Sequence, residues 1–193
     1  MAVNSLNRGI IAAAVVGVLV STYALYVEMA AEARPGYKAL CDIAEHASCS
    51  RVLTSKYAKG LGLVPKNSQL EIPNCAYGII FYCIMIFLST FDLIWVVRLQ
   101  MVISLLSVGT CFYLAYILIF ILRDFCIVCV STYFVNAFIL YFINEKLKLV
   151  LVSIRITCSW LLAGTLLNPL VVACGYRIKI LAVSRLQVEP SVE

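Results

Sequence analysis

Four stretches of this chain, residues 10–27, 72–91, 99–122 and 125–144, contain no Asp, Glu, Lys, Arg or His. A bilayer core about 30 Å thick is crossed by roughly 20 helical residues at about 1.5 Å each, so such runs dictate membrane-spanning helices. In lipid the backbone must satisfy its own hydrogen bonds, which a helix does within one segment. Composition agrees: the 193 residues are 63% hydrophobic and 13% charged, with a mean hydropathy of +1.00, too apolar for an ordinary soluble domain. The expected fold is an all-α integral membrane protein, a four-transmembrane-helix bundle. Because Pro73 and Asn74 open the second run, its membrane helix is expected from about Tyr77.

A fifth uncharged run, residues 156–176, contains Gly164, Pro169 and Gly175 and follows Arg155, which makes it a candidate extra C-terminal hydrophobic helix. Ala31-Glu32-Ala33 has the small-x-small form of a signal cleavage site, but the apolar run before it exceeds the usual core of about 7–15 residues and reads as a retained anchor. Two regions follow: residues 1–148 as the membrane domain, and residues 149–193 as an extension of unassigned role. Within the first, residues 28–71 form the sizeable polar loop, holding the sole histidine, six of the 15 basic residues and two of the nine cysteines. A segment that short builds no strong core alone, so it is expected to cap the mouth of the bundle.

Each span crosses once, so this loop and the Arg123-Asp124 turn share one side of the membrane. Cys41, Cys49, Cys126 and Cys129 then share one compartment. Arg8 before the first span, with Lys146 and Lys148 after the fourth, favours the cytosol for those ends and the lumen for the loop, where disulfides persist. The net charge of +5 is scattered and reads as membrane-flanking solvation, not a nucleic-acid footprint.

Most of the cysteines are expected to be inert. Cys83, Cys111, Cys158 and Cys174 lie in or beside apolar runs, where a thiol packs as a small hydrophobe, and Cys75 sits at the mouth of the second span. Cys126 and Cys129 differ, because residues three apart share one helix face. Asp124 is a suitable N-cap, which would place Cys126 in the first turn, where free amides and the helix dipole favour a thiolate. A redox dithiol at the membrane surface is the stronger reading. The alternative is a zinc pair completed from among His46, Cys41 and Cys49, since a structural zinc takes four ligands. Cys41 and Cys49 are eight apart, about 12 Å along a helix, so they pair only if the loop bends; otherwise they act in series by thiol–disulfide exchange. Tyr77 and Phe81, four apart on the second span, can form an aromatic wall.

The loop ALCDIAEHASCSRVLTSKYAKGLGLV, the opening PNCAYGIIFY of the second span and DFCIVCVSTY of the fourth together resemble the vitamin K epoxide reductase family, over roughly Ser21 to Tyr141. The resemblance implies a four-helix bundle of the endoplasmic reticulum membrane, multi-pass, with its thiols in the lumen. It implies an oxidoreductase that reduces vitamin K epoxide and vitamin K quinone, its substrates, through a redox-active disulfide and with no tightly bound cofactor. It places the active dithiol on Cys126 and Cys129 and the relay on Cys41 and Cys49, with Asn74 and Tyr133 bonding the substrate; Tyr77 and Phe81 are candidate substrate-binding residues on their spacing, which bundle packing explains equally well. A thioredoxin-fold lumenal protein would be the redox partner. The alternative on this scaffold is a quinone-linked enzyme that makes protein disulfides without epoxide activity. The chain departs from the family at Leu53 and Tyr57, where vertebrate members carry phenylalanine and tryptophan, and at Cys75, where they carry serine.

Overall fold

The computed structural model describes residues 3–34, 36–42, 48–62 and 72–166. Helix α1, Val3–Ala33, is followed by a short α2, Cys49–Leu53, and a tight turn at Gly60–Gly62. Then come α3, Asn74–Leu88, α4, Ile94–Tyr116, which continues as a π-helical turn Ile117–Leu122, and the 40-residue α5, Ile127–Leu166. Three of these, Val3–Ala33, Ile94–Leu122 and Ile127–Thr157, are long and apolar enough to cross a membrane, and Asn74–Leu88 is a shorter apolar helix. Helix α1 packs against both α3 and α5, and α4 against α5.

Polarity is reversed relative to a soluble bundle. Leu106, Phe112, Phe120 and Phe134 stand exposed, whereas α4 buries Gln100 and Ser104. A polar side chain facing hydrocarbon has no partner, so it turns inward: Gln100 Nε2 donates to Ser89 Oγ at 3.0 Å, and Ser89 Oγ donates to the Met85 carbonyl at 2.7 Å. At one end, Asn7 Nδ2 and the fully buried Lys146 Nζ both reach Asp92 Oδ1, at 2.9 and 3.0 Å, stitching α1, the α3–α4 turn and α5 together. Ile10, Ala14, Tyr82, Met85, Ile139 and Ile143 pack nearby. At the other end the loop joins Ala24, Val27, Leu118 and Cys126 in a second cluster through Ala39, Cys49, Val52 and Leu53.

Several boundaries differ from the sequence reading. Helix α3 begins at Asn74, not near Tyr77, because Pro73 serves as the residue that enters it (φ −51°, ψ 136°). Helix α4 starts at Ile94 and takes in Arg98, which stacks over Trp95. Helix α5 itself runs unbroken past Lys148 to Leu166, and Val152, Ile154 and Ile156 are exposed on it. The rest of the fifth run, with Gly175 and Cys174, lies outside the described residues.

Gly17 sets the close approach of α1 to α3. A methyl group there would lie 2.5 Å from the ring of Tyr82, itself 1% exposed, so the ring would have to shift. Gly17→Ala is expected to lower stability by about 1–3 kcal/mol, the usual cost of overpacking, with a Tyr82→Leu background restoring part of it. Thermal unfolding of the two variants in detergent checks this.

Candidate active site

The turn from α4 into α5 is strained and short. Arg123 adopts a left-handed conformation (φ 51°), an arrangement that usually costs about 1–3 kcal/mol outside glycine. The Cys126 carbonyl accepts the Val130 amide at 3.0 Å, and its sulfur accepts the Cys129 amide at 3.3 Å. Cys126 is therefore the N-cap of α5, a role the sequence reading gave to Asp124. Asp124 is instead largely buried and paired with Arg51 Nε at 3.2 Å, tying α2 to the turn.

The Cys129 thiol donates to Cys126 Sγ at 2.8 Å. That bond holds the Cys126 thiol below its usual range against the opposing effect of burial, and the amides of Cys129 and Val128 add to it. Cys126 precedes the membrane-crossing part of α5 and is fully buried. The pair is thus arranged with an acceptor sulfur behind and a donor sulfur in front.

Cys129 lines a cavity of about 510 Å³ among α1, α3, α4, α5 and the loop. Asn74, Tyr77, Phe81 and Tyr133 line the same cavity, so the sequence-predicted substrate residues are gathered around one space; Cys126 is not on its wall. Asn74 has a second duty that its sequence context did not reveal. Its Oδ1 accepts the Leu61 amide at 2.8 Å and its Nδ2 donates to the Tyr57 carbonyl at 2.7 Å. These bonds hold Leu61 in the left-handed region (φ 58°) and fix Leu61 and Tyr57 as part of the cavity wall. One amide hydrogen of Asn74 is left for another acceptor.

Cys41 and Cys49 are joined as a disulfide across a bend, with Cα atoms 5.8 Å apart. Cys49 opens α2 and is buried in the cluster that also contains Cys126 and is flanked by Cys129. Asp42 organises the bend. It accepts the Ala39 amide at 2.9 Å, the Ser50 amide at 3.0 Å, and the hydroxyls of Ser50 and Ser48 at 2.6 and 3.1 Å. Ligand atoms of Cys41, Asp42 and Cys49 lie within 4.8 Å of one another, but two of them are the sulfurs of one disulfide. In this redox state they offer no thiolates to zinc, and His46 lies outside the described residues.

A model of the vitamin K epoxide reductase family matches residues 9–144. The chain belongs to the vitamin K epoxide reductase family. It is similar to vitamin K epoxide reductase complex subunit 1 of Rattus norvegicus, with 41% identity over 119 residues, covering 60% of this chain and 74% of the relative. The same subunit of Mus musculus is 40% identical over 119 residues, with the same coverage. The family match spans α1 through the first part of α5 and leaves the distal α5 outside it.

In this family member the positions noted as departures, Leu53, Tyr57 and Cys75, all line the cavity. Sequence reasoning missed Glu28, which also lines it and accepts the Cys75 thiol at 3.2 Å. Its signal was an acidic residue directly following the first uncharged run. It also missed Asn136, whose Nδ2 donates to Cys111 Sγ at 3.0 Å beside the same cavity.

Burial pulls the Asp42 carboxyl upward, but the Ser50, Ala39 and Ser48 donors outweigh it and hold the group below the usual range. A depressed folded value stabilises the fold fully above the unfolded value near 3.9, and the benefit is lost as pH falls through the folded value. Asp42→Asn is therefore expected to unfold more easily than wild type at about pH 7, with the gap closing only below about pH 4. Thermal midpoints of both proteins across that pH interval check this; a pH-independent gap would mean that shape, not charge, matters.

Proposed function

We propose that this protein is a thiol-dependent oxidoreductase of the endoplasmic reticulum membrane that reduces vitamin K epoxide to the quinone and the quinone to the hydroquinone. One observation carries the reading: the Cys129 sulfur opens on a cavity that also presents Asn74 and Tyr133. A quinone is a flat apolar body with two acceptor oxygens, and a cavity of a few hundred Å³ with greasy walls and a few placed donors suits it. The names of the rat and mouse relatives support the same substrate class.

In the proposed topology α1, α3, α4 and α5 each cross the bilayer once, and residues 28–71 form a lumenal cap. Cys129 attacks the substrate carbon while its proton passes to Cys126 Sγ, 2.8 Å away. Cys126 then displaces the substrate from Cys129, leaving a disulfide. For the epoxide, the Cys129 thiol and the Cys126 thiolate become a disulfide and the oxygen leaves as water with the thiol hydrogen and one further proton; for the quinone, the same two hydrogens end on the ring oxygens. The loop dithiol re-reduces the pair, Cys49 attacking first, and becomes the Cys41–Cys49 disulfide. A thioredoxin-fold lumenal protein then reduces the loop through Cys41. Cys49 and Cys126 share one apolar cluster, with Cys41 and Cys129 packed against it, and this proximity supports thiol–disulfide exchange between the two pairs. Residues 1–148 form the catalytic domain, and residues 149–193 are dispensable for chemistry, a reading supported by the exposure of Val152, Ile154 and Ile156.

Relay and staple make different predictions for the loop. Cys41→Ala or Cys49→Ala is expected to abolish turnover driven by a thioredoxin-like protein while a small dithiol, able to enter the bundle, restores it. The ratio of the two activities, compared with wild type, checks this; an unchanged ratio would make the loop cysteines scaffolding. Assay with both epoxide and quinone separates this function from that of a disulfide-forming enzyme, which would use the quinone alone. Tyr133→Phe is expected to lower turnover by roughly five- to a hundredfold, the range for one lost hydrogen bond of about 1–3 kcal/mol. Truncation after Lys148 is expected to leave quinone reduction intact in steady-state assays.

A further inference from the structure

Glu28 is the one carboxyl among the described residues lining the cavity, and its side chain is 1% exposed. Its two oxygens differ. Oε2 receives the Cys75 thiol at 3.2 Å, whereas Oε1 is buried with no hydrogen-bond partner among the described residues. The nearby charges of Lys59 and Glu32, whose Nζ and Oε1 lie 2.7 Å apart, act on Glu28 in opposite senses. A buried carboxyl oxygen without a donor costs free energy unless it carries its own proton or meets a donor from a ligand. Quinone oxygens only accept hydrogen bonds, but hydroquinone oxygens also donate. A carboxyl can do both, which an asparagine N–H cannot.

We propose that Glu28, positioned by the Cys75 thiol, is a catalytic proton donor that binds one ring oxygen of the quinone and protonates it during reduction. The inference rests on the function proposed above and deepens it. The reactants are the quinone, the Cys129 thiol, the Cys126 thiolate and the Glu28 acid. As Cys129 sulfur bonds to the ring carbon, its proton passes to Cys126, and the Glu28 O–H bond breaks as a ring O–H bond forms. Cys126 sulfur then bonds to Cys129 sulfur, the carbon–sulfur bond breaks with its electron pair going to the ring, and the Cys126 proton passes to the second ring oxygen. The products are hydroquinone, a disulfide and the Glu28 carboxylate, so hydrogens, electrons and charge balance. When the loop dithiol re-reduces the pair, its two protons restore the Cys129 thiol and the Glu28 acid. The proton that Cys126 lacks as a thiolate is thus the one that Glu28 holds.

The test uses the full chain in nanodiscs, a prenylated naphthoquinone and dithiothreitol. Glu28→Gln keeps the shape and an N–H donor but cannot release a proton, so kcat is expected to fall about a hundredfold with KM changed less than about threefold. In the wild type, infrared difference spectra are expected to show a protonated-carboxyl band that shifts when quinone is added. Glu28→Gln turning over within about twofold of wild type would overturn the proposal. So would the absence of a quinone-dependent carboxyl band in the wild type, a measurement independent of whether the variant folds. A wild-type protein that does not reduce the quinone would overturn the functional reading and this one together; an active wild type with an equally active variant would overturn this one alone.

Discussion

Hydrocarbon offers no hydrogen bonds, and that single constraint arranges the polar groups of this bundle. Leucine and phenylalanine face outward, while Gln100, Ser104, Asn136, Glu28 and Lys146 are buried. Several of these have a definable task, although the Ser104 hydroxyl has no hydrogen-bond partner among the described residues. Gln100 joins α4 to the end of α3 through Ser89, and Lys146 joins α5 to the α3–α4 turn through Asp92. Cavity polarity follows from the same economy: a largely apolar space is bordered by Asn74, Tyr133, Glu28 and the Cys129 thiol.

The two ends of the bundle are held differently. At one end Asp92 gathers Asn7 and Lys146, and the surrounding donors outweigh its partial burial to keep its carboxyl below the usual range. An ammonium buried as fully as that of Lys146 needs its counter-ion, so this end is closed. At the other end the loop is attached at separate points: the Arg51–Asp124 ion pair, the Asn74 bonds to Tyr57 and Leu61, and the Cys49 side of the disulfide in the apolar cluster. These attachments fix the described part of the loop while leaving the cavity between them.

Uncharged runs located the helices because a transmembrane segment must be apolar along its whole length, and CxxC marked the dithiol because helix geometry brings residues i and i+3 together. What escaped the sequence depended on tertiary partners. Asp124 has the chemistry of an N-cap, but Arg51 claims it, and the Cys126 sulfur takes the cap position instead. The resemblance gave Asn74 as a substrate ligand, and its bonds to the loop become visible only once Gly60-Leu61-Gly62 folds back over it. The end of α5 was illegible for another reason. Lys146 and Lys148 suggested a terminus, yet one is buried in an ion pair and the other bonds Glu145 within the helix, so neither stops it.

Capping by Cys126 has a thermodynamic corollary. The sulfur that accepts the Cys129 amide is free to do so in the dithiol, and bonding it to Cys129 Sγ redirects its lone pairs. An N-cap commonly contributes about 0.5–2 kcal/mol, so the reduced state is favoured by a share of that amount. Stabilising the reduced member of a two-electron couple raises its potential, and about 1 kcal/mol corresponds to roughly 20 mV. In the cycle proposed above, the first turn of α5 would therefore bias the pair toward accepting electrons and slacken each time it gave them up, making the helix end a mechanical register of the couple's oxidation state.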